Sequence, residues 1–137
     1  MMPVVLPTGS GSRSRRKAPE RRAALAHSRE LAIACARTCD DFRGKDTIIL
    51  DVSHITPLFD YFVITTGMNP RQMKAIVEGA GATMKELDSK KIGADGRESS
   101  NWIVQDYGDV ILHVLTADGR KQYDLEGLWG DAKRIDW

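Results

Sequence analysis

Three histidines, two cysteines and a few acids near predicted turns are the side chains whose types and spacing could do chemistry in this sequence. His113 stands in Val110-Ile111-Leu112-His113-Val114-Leu115, an imidazole among aliphatic neighbours. It would serve as an acid–base group if a pocket opened beside it, and as a hydrogen-bonded structural histidine otherwise. No serine or cysteine nucleophile accompanies it in a recognisable motif. Cys35 and Cys39 lie four apart and so share a helical face. A zinc site needs about four ligands, and nothing supplies the remainder at a recognisable spacing, so the pair reads as small buried side chains. His27, near the frayed start of the same helix, reads as solvated. Asp106 and Asp109 flank Gly108, and Asp51 ends a strand. Paired carboxylates can hold magnesium for phosphoryl transfer, but they also need a phosphate cradle. The one glycine-led helix start, Gly67-Met68-Asn69-Pro70-Arg71-Gln72, has neither the P-loop lysine nor the dinucleotide glycine spacing. It keeps only a general attraction for anions, and the acids read as those of a solvated turn.

The elements that must position these groups are legible from periodicity. Order is expected to begin near Pro19-Glu20, a proline and an acid in a helix's first turn. Leu31, Cys35, Cys39 and Phe42 then recur as one helical stripe, and Gly44 stops the helix. Thr47 to Val52 is short, β-branched and unbroken, as a buried strand is. Pro57 makes the following stretch a loop, and Asp60 to Thr66 is a second strand. Asn69-Pro70 pairs a cap residue with proline at the first helical position. The helix it opens is expected to reach about Ser89, with Met73, Ile76, Val77, Met84 and Leu87 apolar. Gly79 and Gly81 weaken that helix, which points to close packing on the sheet or a bend. Residues 90–101 read as loop, with a short strand at Lys91-Ile92-Gly93. Trp102 to Tyr107 and Asp109 to Thr116 are strands of a hairpin turning at Gly108, the second apolar on both faces and therefore central. A last helix follows Asp118-Gly119 and carries Tyr123, Leu125, Leu128 and Trp129. The order helix, strand, strand, helix, hairpin, helix predicts a single α/β domain with a mixed β-sheet flanked by helices.

The chain has 137 residues, the length of one domain. No apolar run approaches the ~20 residues of a membrane helix, and two cysteines make no disulfide scaffold. With no signal-like start, a reducing, cytoplasmic setting is expected. The net charge of +1 conceals an asymmetry. Residues 1–22 carry six basic side chains against Glu20, a balance of +5, whereas residues 23–137 carry −4. Residues 1–19 are therefore expected to be a disordered basic tail and 20–137 the folded domain. The tail could meet RNA phosphates, and its Arg- and Ser-rich make-up is also that of organelle transit peptides. The acidic body suits a basic protein surface better than nucleic acid. Trp102, Tyr107, Tyr123, Trp129 and Trp137 crowd the C-terminal third. Trp102 and Tyr107 suit either a core or an interface, since aromatics at a strand start and a hairpin tip are hard to bury in so small a domain.

Four blocks carry a family likeness. They are Asp51-Val52-Ser53 with Asp60-Tyr61-Phe62-Val63-Ile64-Thr65-Thr66-Gly67; Arg71-Gln72; Trp102-Ile103-Val104-Gln105-Asp106-Tyr107-Gly108-Asp109-Val110-Ile111-Leu112-His113-Val114; and Tyr123-Asp124-Leu125-Glu126-Gly127-Leu128-Trp129-Gly130-Asp131-Ala132. In that order, over residues 30–132, the chain resembles the iojap, or ribosomal silencing factor, family. It departs from the family pattern at Asn69-Pro70, where a serine is usual, and at Glu98-Ser99-Ser100-Asn101, where Glu-Gly often precedes the tryptophan.

The resemblance implies a nucleotidyltransferase-like α/β fold without the enzyme activity, and no cofactor or metal. It implies binding to the free large ribosomal subunit through large-subunit ribosomal protein fourteen. Blocking the small subunit from joining would repress translation under nutrient limitation. A part in large-subunit assembly is also implied. By family position the contact residues are Trp102 and Tyr107 as anchors, with Glu98, Asp106 and Asp109 as charge partners. The basic tail would touch ribosomal RNA, and edge strands with exposed aromatics leave a homodimer open. Two other readings compete: a magnesium-dependent nucleotidyltransferase-like enzyme using Asp51, Asp106 and Asp109, and a general RNA-binding protein driven by the tail. Against the enzyme, the Gly67 turn lacks the serine and spaced acid pair that would hold two metals.

Overall fold

The computed structural model describes residues 18–96 and 101–137. The proposed tail and Glu98 therefore fall, wholly or almost so, outside the described residues. The chain runs α1 (Ala18–Asp41), β1 (Lys45–Asp51), β2 (Tyr61–Thr66), α2 (Pro70–Glu86), β3 (Gly93–Asp95), β4 (Trp102–Asp106), β5 (Val110–Leu115), α3 (Ala117–Tyr123), α4 (Leu125–Leu128) and β6 (Lys133–Ile135). The six strands form one sheet in the order β3-β4-β5-β2-β1-β6. Only the central pair, β2 and β5, is parallel; every other pairing is antiparallel. This is the expected mixed sheet, with the strand that is apolar on both faces at its middle.

Helices α1 and α2 cover one face. The buried side of α1 is made of small residues (Ser28, Ala32, Cys35, Ala36, Thr38 and Cys39, with Leu31), which lets the helix approach the sheet closely. Thr38 and Thr83 join the two helices through a 2.8 Å hydroxyl hydrogen bond, and the Phe42 ring lies over Gly79, where a methyl group would strike it. Gly79 therefore serves packing, but against the end of α1 rather than on the sheet as expected. At the start of α2 the Asn69 side chain accepts from the Gln72 N–H at 2.9 Å, the Gln72 Oε1 accepts from the Met68 N–H, and the Gln72 amide donates to the Arg43 carbonyl at 2.9 Å. One glutamine thus caps its own helix and ties it to the end of α1.

The end of α1 differs from expectation in its cause. Arg43, not Gly44, takes the left-handed backbone, at φ 67°. Gly44 is needed for space: a Cβ there would run into the Thr65 hydroxyl and come within 2.9 Å of the Cys39 carbonyl oxygen, which already accepts the Gly44 N–H at 2.8 Å. Two further differences lie late in the chain. The last helix is broken in two at Asp124, whose φ of 44° ends α3 while its carboxylate accepts from the Gly127 N–H to cap α4. The short edge strand β6 follows, too brief and too charged to show a period. The strand expected at 91–93 lies two residues later, at Gly93–Asp95.

The second face is covered by α3, α4 and the segment around Phe59. Arg120 fastens this cover, its guanidinium donating to the Asp46 carbonyl (2.5 Å), the Thr66 hydroxyl (3.1 Å) and the Glu126 carboxylate (3.2 Å). Because the obstacles at Gly44 include backbone, Gly44→Ala should cost about 2 kcal/mol. Urea denaturation followed by circular dichroism would measure it.

Candidate functional site

The candidate site is the β4–β5 hairpin, and its construction begins with strand alternation. Trp102 and Tyr107 are five positions apart, and they meet opposite layers. Trp102 joins the apolar layer beneath α3 and α4, its ring 4.7 Å from Tyr123 and 5.8 Å from His113, centroid to centroid. Tyr107 lies in the layer beneath α1 and α2, beside Cys35 and Cys39. Both are core residues, 2% and 5% exposed. The expectation of two surface anchors is therefore corrected: the hairpin is internal to the sheet and covered on both faces, so a residue close to its tip can still be buried.

Asp106 is likewise corrected as an exposed charge partner. It is 3% exposed, and its carboxylate accepts from the Gly108 N–H at 2.7 Å, shaping the turn where Gly108 adopts φ 89°. Burial raises its pKa, partly offset by that N–H. Asp109 is part-exposed, and its carbonyl accepts from the Asp60 and Tyr61 N–H groups, fixing the tip against the start of β2. Of the five residues singled out, Asp109 alone is a described, solvent-reaching acid. Glu98 lies outside the described residues.

The other candidate groups are placed plainly. Cys35 and Cys39 are fully buried core side chains, the Cys35 thiol pushed up by its hydrogen bond to Cys39 and by burial. The Asp51 carboxylate accepts from the Ser53 N–H (2.9 Å) and hydroxyl (2.6 Å). It pairs with Tyr61, which pairs in turn with Val110. That puts Asp51 two strands, roughly 10 Å, from the Asp109 end of β5. Among the described residues no three His, Cys, Asp or Glu side chains converge as a metal site would require.

His113 resolves to the structural alternative. The Trp102 indole N–H donates to its Nδ1 at 3.1 Å, which places the ring proton on Nε2. Nε2 is buried with no partner among the described residues, and the Phe62 ring stands nearly perpendicular to the imidazole at 4.7 Å. Burial lowers the His113 pKa to about 3. The ring is thus held neutral, fixed and enclosed. Sequence reasoning missed Arg120, since no motif marks an arginine on a seven-residue helix.

The fold and hairpin define a small mixed-sheet α/β protein whose distinctive surface is a turn carrying an acid over an aromatic core. A family model described as "Ribosomal silencing factor during starvation" matches residues 25–137, and the chain belongs to that family. It is similar to ribosomal silencing factors of Chromobacterium violaceum (38% identical, 76% of this chain and 85% of that one) and Bacillus subtilis (38% identical, 77% and 89%). A crystal structure of a Chromobacterium violaceum protein superposes with a TM-score of 0.71, at 35% identity over 80% of this chain and 90% of that one.

Two outcomes follow. Trp102→Ala removes a buried indole and strands His113, so stability should fall by about 3–5 kcal/mol, measurable by denaturant titration. The second concerns pH. Unfolding returns His113 to its ordinary value near 6.5, so only the unfolded chain takes up the proton and stability falls as pH drops from about 6.5 toward 3. Between pH 7.5 and 5 this amounts to about 2 kcal/mol. Parallel denaturation of His113→Gln should show that slope removed.

Proposed function

We propose that this chain is a non-enzymatic, cytoplasmic translation repressor. It binds large-subunit ribosomal protein fourteen on the free large subunit and blocks joining of the small subunit when nutrients are short. The observation that carries the reading is the family match over residues 25–137. The geometry supports a steric mechanism rather than a catalytic one, since two acids of the alternative enzyme, Asp51 and Asp106, are occupied by turns and Asp51 stands two strands away from the Asp109 end of β5.

In this reading the contact residues divide into two roles. Asp109 and Glu98 meet the lysines and arginines of a basic partner. Trp102, Tyr107 and Asp106 hold the hairpin that presents them. The body's charge of −4 complements such a partner, which speeds encounter and fixes register more than it sets affinity. Contact of the basic tail with ribosomal RNA, a role in large-subunit assembly and a homodimer belong to the same proposal.

Co-sedimentation with purified large subunits, small subunits and intact ribosomes tests it. Wild type should sediment with the large subunit alone and exclude the small subunit. Asp109→Arg should weaken this about tenfold or more while Asp109→Asn loses less. Trp102→Ala should fail in proportion to its unfolded fraction. Absence of large-subunit binding by the folded wild type would overturn the reading.

A further inference from the structure

Two helices cannot cover six strands. Packed helices lie 8–10 Å apart and strands about 4.8 Å, so a helix pair spans roughly four strands. Here α1 packs on β1, β2 and β5, and α2 on β5. The helix-side residues of β4, though buried, lie along the flank of α2 rather than squarely beneath it. A groove of about 750 Å³ occupies this place, walled by α2 from Pro70 to Lys85. Those residues extend it over roughly 22 Å, about four helical turns.

The groove has an apolar floor and a basic rim. Met73 and Val77 of α2 and Ile103 of β4 form the floor. Lys74 and Lys85 stand on one side, Lys90 and Lys91 on the other, with Glu78 as the single lining acid. All four lysines are exposed. Gln105, only 5% exposed, also lines it.

We propose that this groove is a docking site for an acidic amphipathic helix of a partner protein. The apolar stripe of such a helix, at i, i+3, i+4 and i+7, lies on the floor, its carboxylates pair with the four lysines, and its polar flank bonds the Gln105 amide. Charge complementarity selects the occupant, because the groove is basic on a body that is otherwise acidic. The chain's own basic N-terminal segment is repelled by the same lysines. A single nucleic-acid strand is the poorer fit: its grooves present aromatics for base stacking, and none lines this one. The site borders β4 but is distinct from the hairpin tip at Asp109, whose proposed partner has the opposite charge.

The test uses the full chain and a fluorescent synthetic helix of about 16 residues, leucines on one stripe and glutamates flanking it. Fluorescence anisotropy should show saturable binding that Lys85→Glu with Lys91→Glu weakens about tenfold or more, both positions being exposed and their variants folded by circular dichroism. Amide shifts on titration should fall on residues 73–85 and 103–105. The same peptide with lysine for glutamate should bind about tenfold more weakly or not at all. The proposal is overturned if the acidic peptide does not bind, if the double variant binds it equally well, or if an oligouridylate occupies the groove in its place.

Discussion

The hydrogen bond from the Trp102 indole to His113 is the interaction on which the hairpin depends. It lies between two β-strands in an apolar layer, where an unpaired indole N–H would cost about 1–3 kcal/mol. It holds the imidazole in one tautomer, and the imidazole in turn meets Phe62, which meets Phe59 and Trp129. A continuous row of rings therefore runs from β4 across β5 to β2 and up into the segment after α4. The cover formed by α3 and α4 rests on that row as well as on the Arg120 bonds. Tyr107 does the corresponding work on the other face, beneath the two long helices. The turn at Gly108 and Asp109 is thus held from both layers, which is the stiffness a surface contact of fixed register needs.

Much of the architecture was legible because the decisive segments are strongly patterned. Thr47 to Leu50 and Tyr61 to Thr65 are unbroken apolar or β-branched runs, and the structure makes them internal strands. Val110 to Leu115 is apolar on both faces and lies beside the parallel partner at the sheet's centre. Asn69-Pro70 marks the start of α2 to the residue. What failed had no such pattern. β6 is Lys133-Arg134-Ile135, joined to the sheet by backbone pairing and the packing of Ile135 alone, too little to leave a pattern. The left-handed turn at Arg43 falls on a residue that seldom adopts it, and Asp124 is one of several aspartates that nothing local singles out.

The site was legible as a region and not as a surface. Trp102, Asp106, Tyr107 and Asp109 do belong to one hairpin. Their exposure depends on what covers each face of it, a tertiary fact that spacing along one strand does not contain. Alternation does separate Trp102 from Tyr107, and it turns them into two different cores. The groove beside α2 escaped for a related reason: Lys74, Lys85, Lys90 and Lys91 look like ordinary solvated charges until the width of the sheet is set against that of two helices.

The central pairing has a consequence for how the chain comes into being. Tyr61 faces Val110 across the one parallel ladder, 49 residues later in the sequence. A chain emerging from the ribosome therefore exposes one edge of β2, apolar and hydrogen-bond hungry, until β5 has been made and has cleared the exit tunnel. The central ladder therefore closes a long loop, a slow step that waits on β5. The molecule passes from an open, adhesive half-sheet to its finished form only when that ladder forms.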